Sequence, residues 1–363
     1  MPTLVEPAVN KKNFDFVDTI RCLSMMGIVF EHVEVFTDIN YASFYTSMLQ
    51  VSVIQFFKFA TIAFFLIAGF LINHKFTEYS PLQYLKNRLK TTIGPWIFWL
   101  NVLVILNLLR LILISYFKHT GPVHLPSPFL NYLGNAYYTV IFTTSFWFIL
   151  NFLICIAILL AFKRYIARIS FGVLLGLTSL FYSVNLYYGW IRTQHTTAMF
   201  GFVFFLWLGA YMNKHSDALF AFINRTSYVV LIGITVALFL LADLEIIYLK
   251  SIAIEDAYNT LRITNIFYSL AFFLILLKVG SIPFINRVFE PRKTTFGIYL
   301  LHQIIIQHSL ALLMRPFFRG YLSSMTALEI IGFSFIRFVI TYTITLLLVK
   351  CIVKSRFKWS VGA

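Results

Sequence analysis

The strongest constraint in this chain is a series of uninterrupted apolar runs, at roughly 17–36, 53–73, 93–116, 141–162, 169–189, 199–213, 228–243, 262–279, 296–314 and 329–352. A helix needs about 20 apolar residues to cross a bilayer. The sixth and seventh runs are shorter than the rest. Barrel strands would be about ten residues long and alternate in polarity, and these runs do neither. The chain therefore reads as an all-α integral membrane protein of about ten transmembrane helices. Only 12% of its residues are charged, against about 25% in soluble domains. No long polar segment separates any two runs and no internal repeat is evident, so residues 1–363 read as a single transmembrane domain. The first run carries Asp18 and Arg21 and lacks a small-residue cleavage site, so it reads as a retained helix rather than a signal peptide.

The formal charge of +15 would suggest nucleic acid in a soluble protein. Here the basic residues sit mostly in short connections between apolar runs, which points to topology and to anionic headgroups. With the N-terminus inside, nineteen Lys and Arg fall on the cytoplasmic side, in the groups Lys11–Lys12, Lys75–Lys90, Lys163–Arg168, Lys214–Arg225, Lys278–Lys293 and Lys350–Lys358. Six fall opposite: Lys118, Arg192, Lys250, Arg262, Arg315 and Arg319. The split predicts cytoplasmic N- and C-termini and an even number of spans. Cys22, Cys155 and Cys351 lie in or beside apolar runs without metal-ligand spacing, and no metal site is expected.

Charged side chains inside a bilayer are costly, which makes them functional candidates. The first run holds Asp18, Arg21, Glu31, His32 and Glu34. Eleven residues separate Arg21 from His32, which on a helix returns to within about 20° of the same face and about 16 Å along the axis. Arg presents a planar fork of donors that suits phosphate, and His accepts a proton near neutral pH. A long donor with phosphates at one end and a reactive carbonyl at the other could lie along this face. A snorkelling Arg and a bundle-bonded His explain the same residues equally well. The basic stretch Tyr84–Trp96, with Lys86, Arg88 and Lys90, reads as positive-inside anchoring or as an anion site before the third run. Tyr299 and His302, three residues apart, share a helix face, as do Trp147 and Asn151. Both pairs read as packing or as the lining of a site.

These segments, in this order, resemble the membrane acyltransferase-3 family. VDTIRCLSMMGIVFEH (Val17–His32) is similar to that family's opening signature, an acidic residue before an Arg, with ten residues between that Arg and a His. AFFLIAGFLI (Ala63–Ile72), FWFILNFLI (Phe146–Ile154) and FGIYLLH (Phe296–His302) resemble its second-helix, Trp-Phe-Leu and Ile-Tyr-Leu-x-His segments. One departure stands out. Many members carry Arg-x-x-Arg before the third-helix Pro, whereas here Arg88 is followed three residues later by Thr91, with Lys90 between them.

The resemblance implies a membrane-bound O-acyltransferase that moves an acyl group, acetyl first among them, from acyl-CoA to a hydroxyl of a sugar, glycan or lipid-linked acceptor. It implies His32 as general base and Arg21 and Arg88, with Lys90, as donor-binding groups. Tyr299 and His302 are implied to lie near the site, and Trp147 and Glu34 are further candidates for its lining. Acyl-CoA would be a co-substrate rather than a bound cofactor. The protein would be a multi-pass resident of a cell membrane, the bacterial cytoplasmic membrane in the first instance, with no nucleic-acid partner. The rival class is export of a glycan or lipid-linked sugar. It lacks support from an inverted repeat or from paired broken helices.

Overall fold

A computed structural model describes residues 14–35, 43–78, 81–117, 128–194, 196, 198–314 and 324–363. Among them the chain is helical and contains no strand. Its helices are α1 (Asp15–Val33), α2 (Phe44–Phe57), α3 (Phe59–Glu78), α4 (Pro81–Arg88), α5 (Gly94–Phe117), α6 (Phe129–Thr143), α7 (Trp147–Ala161) and α8 (Ile169–Tyr188). They continue as α9 (Val203–Lys214), α10 (Ser216–Arg225), α11 (Tyr228–Ser251), α12 (Ile263–Val279), α13 (Pro283–Phe289), α14 (Pro291–Ile304), α15 (Leu310–Met314) and α16 (Ala327–Val353).

Six stretches are long and apolar enough to cross a membrane: Phe44–Ile72, Leu82–Leu113, Ile169–Tyr188, Tyr228–Ser251, Pro291–Met314 and Ala327–Val353. The number rises to eight if α6 with α7, bent by 71°, and α12 with α13, bent by 97°, each count as one span. Helix α1 fails on composition, because every 18-residue window in it contains Asp18, Arg21 and Glu31. Helix α9 fails on length, at 12 residues. Several boundaries differ from the sequence reading. The basic stretch before the third run is helical: α4 passes through a π-helical turn at Leu89–Ile93 into α5. The fourth run is broken after Thr143, so that Trp147 opens α7. The seventh run continues eight residues past its expected end, through Asp243 and Glu245, because partners meet these carboxylates: Ser52 Oγ donates to Asp243 at 2.7 Å, while Tyr187 and Thr264 donate to Glu245. Lys11, Lys12, Lys118, Arg315 and Arg319, counted in the charge split, lie outside the described residues.

Local sequence explains several helix ends. Thr326 and Glu329 form a reciprocal capping box that starts α16, while Ser43 and Ser227 cap α2 and α11. At Glu290 the backbone turns left-handed, φ 46°, between α13 and α14. Hydrogen bonds from Lys293 and Lys350 hold this carboxyl below the usual carboxylate range. They also pin the corner from which α14 departs.

Helix α1 lies inside the bundle, against α3, α14 and α16. Val17 and Ile20 join an apolar cluster with α3, α7, α9 and α12, while Met25, Val29, Phe30 and Val33 join a second with α5, α14 and α16. The last carbonyls of α1 are met by Arg337, whose Nε donates to the Val33 carbonyl at 2.7 Å, a favourable cation at a helix C-terminus. The tightest crossing is α3 on α9. A Cβ on Gly69 would stand 1.9 Å from the Leu206 carbonyl oxygen, and one on Gly209 would stand 2.0 Å from the Leu66 carbonyl oxygen. Small residues permit such backbone approach within membranes. Gly69→Ala and Gly209→Ala should each lower the melting temperature of the purified protein, since overpacking of this kind costs about 1–3 kcal/mol. Unchanged melting in both variants would show that the crossing is not a tight one.

Candidate functional site

Helix α1 presents one continuous stripe: Arg21, Met25, Ile28 and His32. The spacing of four, three and four residues keeps them on a single face, as the eleven-residue interval predicts. Two cavities open along this stripe. Arg21, Met25 and Ile28 line the first, and Ile28 and His32 line the second, so the two meet at Ile28.

The first cavity has a volume of about 290 Å³. Its polar wall carries three guanidiniums, from Arg21, Arg88 and Arg292, together with Thr91, Thr92 and Thr295. Asp18 organises two of them. Its Oδ1 accepts from Arg21 Nη1 at 3.1 Å, and its Oδ2 accepts from Arg292 Nε at 2.5 Å. Arg88 donates from Nε to the Tyr84 hydroxyl at 3.0 Å, with its guanidinium over the Tyr84 ring. Asp15 Oδ1 also stands 3.6 Å from Arg292 Nη2, and two carboxylates against three guanidiniums leave the cavity cationic. The apolar wall comes from Phe64, Ile67, Leu71, Phe148 and Phe152. Such a site suits a molecule with several phosphates and an apolar arm.

Sequence reasoning placed Arg21 and Arg88 here and missed Arg292, which it counted only as a loop charge. The signal was present: Arg292 stands seven residues before Tyr299, two helical turns along the same face, and Thr295, Phe296 and Tyr299 line the cavity beside it. Thus Thr91, where the resemblance leads to the expectation of a second Arg, lines the cavity, and the third guanidinium comes from α14. Lys90 differs from the expectation. It is exposed on the π-helical turn and is not among the lining residues, because the turn directs Arg88, Thr91 and Thr92 to the cavity. The chain's last residues close the cavity. Gly362 is in its lining, at φ 72°, and a Cβ there would meet Phe296 at 2.7 Å. The turn Lys358–Val361 before it is anchored by Trp99, whose Nε1 donates to the Ser360 carbonyl at 2.8 Å, and by the buried Val361.

The second cavity has a volume of about 370 Å³. His32 is exposed into it, flanked by Glu31, Glu34 and Lys58 and faced by Thr143, Thr144, Trp147, Thr196, Asp256, Tyr258 and Thr260. Glu31 is held by Lys58, whose Nζ donates to Oε2 at 2.7 Å. Glu34 lines the same cavity as His32. Trp147 is placed by the bend between α6 and α7. The Tyr299 hydroxyl donates to the Ser145 carbonyl and Trp96 Nε1 donates to the Phe146 carbonyl at 3.1 Å. Tyr299 therefore lines the first cavity and braces a wall of the second. His302 lines neither. It is fully buried, with Nδ1 at 3.0 Å from the Ile298 carbonyl and its ring centroid 5.4 Å from that of His32. Asn151, paired with Trp147 in the sequence, is buried in contact with Cys155 rather than lining either cavity.

The arginine cavity yields a direct test. If the phosphates of CoA, the donor that the resemblance implies, sit here, Arg292→Ala should weaken its binding roughly tenfold to a hundredfold, the worth of a hydrogen bond to a charged group. Lys90→Ala should change it little. Isothermal titration of both variants checks the contrast, and equal losses would place the phosphates elsewhere.

No curated protein and no solved structure matches the chain. The model of the acyltransferase-3 family, described as an acyltransferase domain, matches residues 14–349, which takes in both cavities apart from the C-terminal turn. With that match over nearly its whole length, the chain belongs to the membrane acyltransferase-3 family.

Proposed function

We propose that this protein is an acyl-CoA-dependent O-acyltransferase, moving an acyl group, acetyl in the first instance, onto a hydroxyl of a sugar, glycan or lipid-linked acceptor. The observation that carries the reading is the α1 stripe, which joins a cationic cavity at Arg21 to a hydroxyl-rich cavity at His32 through Ile28. Arg21, Arg88 and Arg292 hold the donor's phosphates. Its pantetheine arm runs along Met25 and Ile28, and its thioester comes to rest beside His32. The acceptor enters the second cavity. Its hydroxyl oxygen attacks the thioester carbonyl and its proton passes to the His32 imidazole. The new ester C–O bond forms, the C–S bond breaks, and CoA leaves as a thiolate that takes up a proton. Glu34 orients the imidazole, Trp147 packs beside the reacting groups, and His302 backs the His32 ring from within the bundle.

In a membrane, the six apolar helices and two bent pairs are joined by α1 and α9, making ten spans. The charge split then puts the arginine cavity and both termini on the cytoplasmic side, where acyl-CoA is found. Helix α1 spans despite its charges because the bundle encloses it. Tags at the two termini should be accessible from the same side of sealed vesicles, and accessibility from opposite sides would require an odd number of spans.

The catalytic assignment is tested with purified protein, radiolabelled acetyl-CoA and lipid or glycan acceptors. His32→Ala and His32→Gln should lower transfer at least about a hundredfold, the lower bound for general base catalysis, while CoA binding stays near wild type. Arg21→Ala and Arg88→Ala should show the reverse pattern, with weaker CoA binding. Wild-type transfer should fall on the acid side as the imidazole takes up a proton. Near-normal transfer by a folded His32→Ala protein would remove His32 from the mechanism. Glycan export without acyl transfer in any variant would favour the transport class.

A further inference from the structure

Three helices line both cavities, and each passes from one to the other within a single turn. On α1 the change falls at Ile28, which lines both. On α3 it falls between Thr61 and Phe64, and on α7 between Trp147 and Phe148. The junction is therefore ringed by Ile28, Phe64 and Phe148, one apolar side chain from each helix. Packing holds this ring in place. The Phe64 and Phe148 rings meet edge to face at a centroid distance of 6.0 Å. Phe148 is also packed against Phe65 at 5.1 Å, Tyr299 at 5.8 Å and Phe152 at 6.1 Å. Ile28 is buried, and the backbone beside it is seated on the joint of α2 and α3: a Cβ on Gly27 would stand 2.9 Å from the Ala60 Cβ and 3.3 Å from the Phe57 carbonyl oxygen.

A junction walled by close-packed side chains discriminates by cross-section more than by length. Overpacking is costly, whereas an unbranched chain presents the same width at every carbon. For the thioester to reach His32, the donor's arm passes between these three side chains with the acyl group ahead of it. We propose that Ile28, Phe64 and Phe148 form a collar that selects the acyl group by width: unbranched acyl groups pass, and those branched beside the carbonyl are held back. The inference rests on the donor reading above, in which the phosphates stay with the arginines and the acyl group leads toward His32. A group held at the collar keeps the arm from extending, so the penalty is felt in donor binding as well as in transfer.

Valeryl-CoA and pivaloyl-CoA are isomers that differ in branching alone, and acetyl-CoA and free CoA serve as references. Their binding to the full-length purified protein is measured by calorimetry without acceptor. Acetyl-CoA and valeryl-CoA should bind within about threefold of each other. Pivaloyl-CoA should bind roughly tenfold or more weakly than its isomer, the scale of a mispacked group. Ile28→Ala should close the gap between the isomers, and Ile28→Phe should extend the penalty to valeryl-CoA and acetyl-CoA relative to free CoA. Phe64→Leu supplies a second widening in case the cavity left by Ile28→Ala prevents folding. Equal binding of the isomers to the wild type, or a gap that survives in a folded widened variant, overturns the proposal. A loss for valeryl-CoA as large as for pivaloyl-CoA also overturns it, since length is then the limit. If none of the four ligands binds, the donor reading itself fails; if free CoA binds and the isomers do not differ, only the collar fails.

Discussion

A helix that carries Asp18, Arg21 and Glu31 within one membrane-length segment cannot face lipid, and the rest of the bundle follows from enclosing it. A charge exposed at the bilayer centre costs about 2.5–3.5 kcal/mol by insertion measurements. Each of these charges is met locally: Asp18 by Arg21 and Arg292, Glu31 by Lys58, and the helix's last carbonyls by Arg337. Helices α3, α14 and α16 wrap the apolar faces. Enclosure leaves one stripe of α1 uncovered by packing, and along it the two cavities form.

The same physics decided what could be read in the sequence. Continuous apolar runs revealed the helical membrane fold, and helical periodicity put Arg21 and His32 on one face. The breaks were harder to see. The bend after Thr143 depends on Tyr299 and Trp96 reaching the Ser145 and Phe146 carbonyls from distant helices, and no local signal announces them. The extension of α11 through Asp243 and Glu245 likewise depends on Ser52, Tyr187 and Thr264. Arg292 was legible in principle, since its interval to Tyr299 is two turns, but a proline and two further basic residues made it look like an ordinary loop charge. Lys90 shows the opposite case. Proximity to Arg88 in sequence suggested a shared role, and the π-helical turn sends the two side chains to different surroundings.

The two cavities differ in the charged side chains that line them. Guanidiniums gather at one end of α1 and carboxylates at the other, with Met25 and Ile28 as an uncharged stretch between them. A single helix is the common wall, so the spacing of the two cavities is set by the rise of that helix rather than by loop positions.

The turn at Lys358–Val361 has a consequence of a different kind. It lies past residue 349, where the family match stops, yet Gly362 forms part of the arginine cavity's wall and Trp99 holds the turn in place. The wall of that cavity is thus shared between the scaffold that the family model covers and a short stretch beyond it.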